Sequence, residues 1–231
     1  MKIYAAILAG GLGLRCSDTP KQFLMLGGKP VVRWSIDAFA ACAQVEGIVI
    51  TCPGNEIPRM KALADDCGLT VRVIAGGQTR QISSRNAVNS IICGENDIIV
   101  IHDAARPFVT PEMILECASK ANETGAAGTY IPATDTVAEV SGLVVKSIPA
   151  RENIYYTQTP QAFKARLIKK CHDLAKTQGR ETATDDVSLV IAAGHQVSVI
   201  NGSPMNIKIT SRFDYDAALQ AALSLNETKK I

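Results

Sequence analysis

The sequence predicts an α/β fold with a doubly wound, mostly parallel sheet. Short β-branched runs alternate with longer stretches of helical period, as in βαβ units. With 231 residues, 47% of them apolar, the chain is long enough to bury a sizeable core. Because crossovers between parallel strands are right-handed, the loops that follow the strands lie at one edge of the sheet. Motifs that end strands are therefore the candidates for ligand binding.

Runs rich in β-branched residues are predicted as strands, and stretches of helical period as helices. The predicted strands span residues 3–8, 47–52, 70–75, 97–101, 126–132 and 196–200. The predicted helices span residues 31–43, 56–67, 80–93, 111–122, 164–177, 185–193 and 212–225. Helices in these positions are expected to cover both faces of the sheet.

One stretch departs from this alternation. Residues 135–156 contain two short β-branched runs separated by Ser141-Gly142, a dipeptide typical of hairpin turns. No other shift in composition and no repeat divides the chain. We therefore predict a single domain over residues 1–231, with residues 135–156 protruding from it as a β-hairpin arm.

The charge balance excludes several classes of function. Lys and Arg total 24 and Asp and Glu total 22, so the net charge of +2 provides no broad field for nucleic acid or an anionic membrane. The apolar run at residues 3–13 is too short to span a bilayer and lacks a basic leader. We predict a cytoplasmic protein in which any phosphate binding is local.

The seven cysteines and three histidines favour neither a disulfide framework nor a zinc site. The cysteines are odd in number, include no C-x-x-C pair and mostly occupy apolar positions of predicted elements. The histidines are widely spaced along the chain. Buried free thiols are the expected state.

The first predicted strand runs into a glycine-rich loop suited to a phosphate. Gly10, Gly11 and Gly13 allow backbone N–H groups to approach phosphate oxygens closely, and Arg15 and Lys21 add positive charge. The alternative is a tight glycine turn with two solvated cations.

Spacing excludes two common phosphate loops. A dinucleotide fingerprint requires a third glycine where the chain has Cys16, and a Walker loop requires Ser or Thr where Gly28-Lys29 is followed by Pro30. Neither hydride transfer nor P-loop hydrolysis fits the sequence.

Motifs along nearly the whole chain resemble, in order, those of the 2-C-methyl-D-erythritol 4-phosphate cytidylyltransferase family. The matching motifs are residues 9–15 with Pro20-Lys21-Gln22-Phe23, Gly76-Gly77 with Arg80, Ser83 and Asn86, residues 102–107, Asp135-Thr136, Arg151 ahead of residues 158–161, Thr184-Asp185-Asp186, and residues 206–210. The resemblance implies a Rossmann-like nucleotidyltransferase fold and transfer of CMP from CTP to a polyol phosphate, with release of pyrophosphate and assistance from Mg²⁺. It also implies a homodimer whose arm reaches into the partner's active site.

The resemblance also assigns candidate binding residues. Those implied for CTP are Ala9, Gly10, Gly11, Gly13, Gly76, Gly77, Ser83 and Asp103. Those implied for the acceptor phosphate are Thr136, Arg151, Thr159 and Thr184. The metal is expected mainly on the CTP phosphates, with Asp103 as a candidate protein ligand.

Cations are the main catalytic need of such a transfer. An acceptor oxygen attacks the α-phosphorus in line, and charge spreads over the phosphate oxygens. Arg15, Lys21 and Lys208 are the candidate catalytic residues. Lys208 lies at residues 206–210, where alternation predicts a strand with Asn206 and Lys208 on one face. An edge-strand lysine without function is the alternative.

Structural alternatives stay open for the other motifs. Asp103 could pair with Arg106 instead of contacting substrate. The resemblance favours Asp103 as a ligand of the substrate or metal and Arg106 as structural support. A helix N-cap or a solvated stripe explains Thr79 and Arg80 as well as a base and ribose site does, and Thr184 could cap a helix.

The acceptor has two candidates. Gly10 and Ile148-Pro149 resemble relatives that act on ribitol 5-phosphate, whereas Asp103 with Arg106 and the run from Thr184 resemble the methylerythritol enzymes. We take 2-C-methyl-D-erythritol 4-phosphate, in the non-mevalonate isoprenoid pathway, as the leading acceptor. A non-catalytic nucleotide-binding protein is a further alternative, but it would be expected to lack one of the three catalytic cations.

Overall fold

The computed structural model describes residues 1–11 and 19–228, which form strands and helices in alternation. The strands are β1 (Ile3–Leu8), β2 (Met25–Leu26), β3 (Lys29–Pro30), β4 (Val45–Cys52), β5 (Val71–Ala75), β6 (Ile98–Asp103), β7 (Ala126–Pro132), β8 (Glu139–Ser141), β9 (Val144–Ser147), β10 (Tyr155–Lys164) and β11 (Ser198–Asn201). The helices are α1 (Val31–Ala40), α2 (Ile57–Ala64), α3 (Arg80–Ser90), α4 (Pro111–Thr124), α5 (Ala165–Thr177), α6 (Val187–Ala192) and α7 (Arg212–Thr228).

The main sheet has the order β11-β7-β10-β6-β1-β4-β5. Its neighbouring strands in the described chain are parallel, except that β10 runs antiparallel to both β6 and β7. Each predicted strand of this sheet is present within two residues of its expected bounds, and each predicted helix within three. The predicted mostly parallel α/β fold is therefore confirmed.

Strand β10 was not among the predicted strands. Its sequence carries Gln158, Thr159, Pro160 and Gln161 in succession, which breaks the alternation of apolar and polar residues. The pairing register with β7 shifts between Gln158 and Gln161, so Pro160, which lacks an N–H group, lies where the ladder is already irregular. This irregularity lies beside the site described below.

Alternation along the central strands divides the core into two layers. In β1, Ile3, Ala5 and Ile7 face the layer that packs against α1, α2 and α4. Ala6 and Leu8 face the layer formed with α3, α5 and α6. Helices therefore cover both faces, as expected for a sheet whose central strands are apolar on both sides.

A third apolar cluster fixes the segment that precedes α7. Ile209 is buried in this cluster with Leu26, Phe108 and side chains of α7. The backbone N–H of Ile209 donates to the carbonyl of Ala105 at 2.8 Å. The prediction of a strand at residues 206–210 is wrong: the segment lies outside the strands of the described structure, because it is held by this cluster and not by a ladder of backbone bonds.

The predicted hairpin is present as a two-stranded sheet of β8 and β9, separate from the main sheet. Ser141 pairs with Val144, so the turn is Gly142-Leu143, one residue later than predicted. Gly142 has φ +61°, a backbone conformation that favours glycine. Residues 138–148 are all exposed, and they form what we call the arm.

The cysteines in the described part of the chain are free thiols. Four of them, Cys42, Cys52, Cys117 and Cys171, are buried, as expected. Cys16 lies outside the described residues. None of the described helices has the length and apolar character needed to cross a membrane.

Candidate active site

The carboxyl ends of β1, β4, β5 and β6 meet at one edge of the sheet because these strands are parallel. From β1 the chain passes to β4 and β5 on one side and then crosses back to β6 on the other side of β1. The strand order therefore reverses between β1 and β6, and such a switch point is where open α/β sheets bind ligands. A pocket of about 610 Å³ opens at this place. Its lining is Leu8, Gly10, Gly11, Lys21, Cys52, Pro53, Gly76, Gly77, Gln78, Thr79, Arg80, Ser83, Asp103, Ala105 and Lys208.

The glycine-rich loop begins in this pocket. Gly10 and Gly11 line it and are exposed, whereas Ala9 is buried and donates its N–H to the carbonyl of Thr51 at 2.8 Å, which joins the loop to β4. Lys21 lines the same pocket, and its Nζ donates to the carbonyl of Ile209 at 3.2 Å. The predicted contacts of Gly13 and Arg15 lie outside the described residues.

The second glycine pair, Gly76 and Gly77, lines the same pocket beside Gly10. The N–H of Gly77 donates to Oγ of Ser83 at 3.0 Å, and Ser83 donates to the carbonyl of Thr79 at 3.0 Å. A Cβ at Gly77 would lie 2.0 Å from Cγ2 of Ile82, so only glycine fits this close approach. Thr79 caps α3 by accepting the N–H of Ile82 at 3.1 Å, which confirms the capping alternative for Thr79.

Asp103, at the end of β6, is bound by two cations from distant parts of the chain. Nε of Arg80 donates to its Oδ1 at 3.1 Å, and Nζ of Lys208 to its Oδ2 at 2.5 Å. Burial acts to raise the pKa of Asp103, but the charges of Arg80 and Lys208 outweigh it and hold the pKa well below its usual range. Asp103 is therefore a charged carboxylate in the pocket wall.

The guanidinium of Arg106 contacts backbone carbonyls and not the carboxylate of Asp103, which agrees with structural support and not with the pairing alternative. Its guanidinium donates to the carbonyl of Asn206 at 2.8 Å and to that of Thr157 at 3.2 Å. These bonds join the loop after β6 to β10 and to the segment carrying Lys208. Arg106 therefore supports the backbone around the site, while Arg80 and Lys208 pair with Asp103.

A smaller pocket of about 220 Å³ lies beside the first. Arg80, Asp103 and Lys208 line both pockets and form the wall between them. Thr159 and Thr184, two of the predicted acceptor residues, line the smaller pocket. The predicted CTP and acceptor residues of the core thus occupy two adjacent pockets with one shared wall.

The other two predicted acceptor residues belong to the region around the arm. Although both are described, Thr136 and Arg151 line neither pocket. Both residues are exposed, and Nη1 of Arg151 donates to the carbonyl of Thr134 at 3.3 Å. Within one chain, Thr136 and Arg151 therefore do not share a pocket with Thr159 and Thr184.

A buried relay of hydrogen bonds holds the end of β6, where Asp103 lies. The N–H of Asp103 donates to Oγ1 of Thr159 at 3.1 Å, Thr159 donates to Nδ1 of His102 at 3.0 Å, and Nε2 of His102 donates to the carbonyl of Arg106 at 3.0 Å. Burial lowers the pKa of His102 to about 4, so the imidazole is neutral at pH 7 and can accept at one nitrogen while donating at the other. The hydroxyl of Thr159 therefore both accepts and donates within the protein, from Asp103 and to His102.

Sequence reasoning missed the roles of His102, Arg80 and Asp186. His102 carries the relay, and Arg80 joins Asp103 to the buried carboxylate of Asp186. The three-residue spacing of Arg80, Ser83 and Asn86 and the motif Thr184-Asp185-Asp186 were the available signals, but neither indicates which side chains meet.

The described residues include no group of three or more His, Cys, Asp or Glu side chains placed to hold a metal ion. Of the described residues that line the larger pocket, Asp103 is the one carboxylate. Mg²⁺ often binds through one carboxylate and substrate phosphates. Asp103 is therefore the candidate protein ligand for a metal ion in this pocket, and its two oxygens contact Arg80 and Lys208.

Comparison with known proteins gives one consistent family. The sequence model described as "2-C-methyl-D-erythritol 4-phosphate cytidylyltransferase" matches residues 3–224. Proteins of that name from Acidobacterium capsulatum and Thermosipho melanesiensis are 37% and 39% identical to the chain, over 94% and 91% of it and 96% and 93% of their own lengths.

Solved structures agree with the sequence comparison. The 4-diphosphocytidyl-2C-methyl-D-erythritol synthase from Anaerococcus prevotii has a TM-score of 0.84 at 27% identity, with 95% of each chain covered. The 2-C-methyl-D-erythritol 4-phosphate cytidylyltransferase from Thermus thermophilus has a TM-score of 0.80 at 29% identity, covering 96% of this chain and 99% of its own.

The buried relay predicts a pH dependence of stability. His102 has an ordinary pKa of 6.5, which burial lowers to about 4 in the folded protein. Between these values the unfolded chain binds a proton that the folded protein does not, so stability falls as the pH falls from about 6.5 to about 4. At about 1.4 kcal/mol per pKa unit, the full effect is on the order of 3 kcal/mol.

Urea unfolding across this pH range measures the effect. The His102→Gln variant lacks the titrating group, so its free energy of unfolding should change less with pH than that of the wild type. His195→Gln, which replaces an exposed histidine, is the matched control. If the free energy of unfolding depends on pH equally in the wild type and in His102→Gln, the lowered pKa of His102 is contradicted.

Proposed function

The chain belongs to the 2-C-methyl-D-erythritol 4-phosphate cytidylyltransferase family, and we propose that the two adjoining pockets are the site of its reaction. The chain is a CTP-dependent cytidylyltransferase that transfers CMP to 2-C-methyl-D-erythritol 4-phosphate in isoprenoid precursor synthesis. A phosphate oxygen of the acceptor bonds to the α-phosphorus of CTP while the bond from that phosphorus to the β-phosphate oxygen breaks, and pyrophosphate leaves. The observation that carries the proposal is the wall shared by the two pockets.

We assign CTP to the larger pocket. Its volume of about 610 Å³ lies within the range of small-molecule sites. The exposed backbone of Gly10 and Gly11 suits the phosphates, and the turn of Gly76 and Gly77 with Ser83 suits the base and ribose. The family match extends these assignments to Ala9 and, outside the described residues, to Gly13.

We assign catalysis to the cations that border the phosphates. Lys21 and Lys208 line the larger pocket from opposite ends of the chain. The family match adds Arg15, which lies outside the described residues. Charge that develops on the phosphate oxygens in the transition state is stabilised by cations already fixed in place. Asp103 supplies this fixation for Lys208, because it holds the ammonium at the shared wall before substrate binds.

We assign the acceptor phosphate to the smaller pocket, which adjoins the CTP pocket at Asp103. Thr184 is exposed at this pocket and can donate its hydroxyl to a phosphate oxygen, whereas Thr159 contributes mainly through its position in the wall. An acceptor placed here would have its phosphate close to the α-phosphate of a nucleotide in the larger pocket. Such placement lowers the entropic cost of the reaction.

We propose that Mg²⁺ is bound mainly by the CTP phosphates and neutralises part of their charge. Asp103 is the candidate protein ligand, although both of its oxygens are engaged by Arg80 and Lys208. The described residues support this role for the nucleotide because they form no metal cluster of their own.

We propose a homodimer in which the arm of one subunit completes the acceptor pocket of the other. Arm side chains such as Val140, Leu143 and Val145 are exposed and apolar, which is typical of a surface that a partner covers. Thr136 and Arg151 would then reach the partner's acceptor, and the guanidinium could bind its phosphate with two hydrogen bonds. We further propose one domain with this arm and a cytoplasmic location, which the free thiols favour.

The acceptor assignment predicts selective turnover. Pyrophosphate release from CTP, followed with a coupled phosphate assay, should require an acceptor and be fastest with 2-C-methyl-D-erythritol 4-phosphate. Ribitol 5-phosphate is the matched competitor, because Gly10 resembles the enzymes that use it. A higher kcat/KM with ribitol 5-phosphate would overturn the assignment of the acceptor. Pyrophosphate release without any acceptor would overturn the assignment of the reaction.

The catalytic assignment predicts that Lys21→Met and Lys208→Met each lower kcat by about 100-fold or more, the loss typical of removing one group that stabilises developing charge. Steady-state kinetics with both substrates measures this loss. Lys170→Met, at an exposed position of α5, is the matched control. A kcat within threefold of wild type would remove that lysine from the mechanism.

The dimer predicts complementation between two inactive variants. Lys208→Met damages the core site, and Arg151→Ala removes the proposed phosphate contact beside the arm, so each homodimer should have little activity. When both are unfolded together and refolded as an equal mixture, half of the dimers should contain one intact site, and activity should return to about a quarter of wild type. An additive rate for the mixture would show that Arg151 serves its own subunit.

A further inference from the structure

Behind the pocket wall, a buried carboxylate holds the outer side of Arg80. Asp186 immediately precedes α6, and its side chain is 1% exposed. Nη1 of Arg80 donates to its Oδ2 at 2.7 Å, while Oγ of Ser84 donates to its Oδ1 at 2.6 Å. Nε2 of His172, on α5, lies 3.1 Å from the same Oδ1. Side chains from two helices therefore hold Asp186 against Arg80.

The backbone fixes Asp186 from a third direction. The N–H groups of Asp186 and Val187 donate to Oε1 of Gln161 at 3.1 and 3.3 Å. Gln161 belongs to β10 and lines the smaller pocket. Burial acts to raise the pKa of Asp186, but Arg80 and the hydrogen bond from His172 lower it to about 2, so the carboxylate is charged.

The orientation of Arg80 depends on its two carboxylates. Nε is bound by Asp103 and Nη1 by Asp186, whereas Nη2 is buried without a hydrogen-bond partner among the described residues. With both contacts, Arg80 uses Oδ1 of Asp103 and leaves Oδ2 to Lys208. Without Asp186, the guanidinium can turn and take both oxygens of Asp103, since a bidentate pair is its preferred geometry with a carboxylate.

We propose that Asp186 is a positioning residue for cytidylyl transfer, held by Ser84 and His172, which orients Arg80 so that Asp103 presents one oxygen to Lys208. This inference rests on the proposed function, because it assigns Lys208 to the reacting phosphates. Asp186 lines neither pocket in the described structure, so it acts through Arg80 and not on substrate.

Kinetics of Asp186→Asn test the proposal. A displaced Lys208 loses contacts that matter most in the transition state, so kcat should fall by about 10- to 100-fold while the KM for CTP changes by less than about threefold. Ser84→Ala keeps every charge and removes one bond to Asp186, so it should fold and lower kcat by a smaller factor. Asp173→Asn, at the exposed position after His172, is the matched control.

A double-mutant cycle separates positioning from a structural role. In an Arg80→Gln background, Asp186→Asn should lower kcat no further, because the group that it orients is gone. If the double variant shows the product of the two single-variant losses in kcat, the proposal is overturned. So would a kcat per folded enzyme that stays at the wild-type value in both Asp186→Asn and Ser84→Ala, with only the melting temperature lowered.

An NMR readout does not depend on turnover. The ¹⁵N–¹H signal of the Arg80 guanidinium Nε, assigned by its loss in Arg80→Lys, should shift or broaden in Asp186→Asn and remain in Asp173→Asn. An unchanged signal in Asp186→Asn would overturn the proposal. If wild-type enzyme fails to use CTP and the acceptor, the proposed function fails, and this signal still decides whether Asp186 orients Arg80.

Discussion

The buried charge of Asp103 is the constraint on which the rest of the site depends. A carboxylate removed from water is stable only when cations and hydrogen bonds replace its hydration. Arg80 and Lys208 supply the two cations, from the first residue of α3 and from the segment before α7. The same need extends outward, because the partly buried Arg80 requires a second anion, which Asp186 provides. The network therefore balances two carboxylates against two cations, with Asp103 in the wall between the pockets and Asp186 behind it.

Neutral groups fix the backbone that presents these charges. Thr159 and His102 hold the end of β6, and the carbonyl of Ala105 accepts the N–H of Ile209 one residue after Lys208. A neutral imidazole suits this position, because a protonated one would add a further cation close to Arg106 and Lys208. Irregular strand β10 contributes twice, through Thr159 to Asp103 and through Gln161 to the segment of Asp186. Strand irregularity here places two polar side chains towards the site.

Sequence reasoning could predict the features that depend on local pattern. The central strands follow β-branched runs, and the arm follows a turn dipeptide. It could not predict β10, whose polar residues and Pro160 hide the period of a strand. Nor could it pair Asp103 with residues 23 and 105 positions away, because such contacts arise only when packing brings segments together. Arg106, only three positions from Asp103, was the natural candidate by sequence distance and takes other partners.

The arm presents the opposite physical problem from Asp103, since it carries apolar side chains with little to bury them. A two-stranded hairpin is marginally stable alone in water, and Leu143 is fully exposed at its turn. Covering the arm with a partner subunit would remove this apolar surface from water and would also bring Thr136 and Arg151 to a second chain. In the dimer that we propose, burial of the arm and completion of the acceptor pocket are therefore one event. Acceptor affinity would then depend on the same contacts that hold the subunits together, which couples assembly to the chemistry of the site.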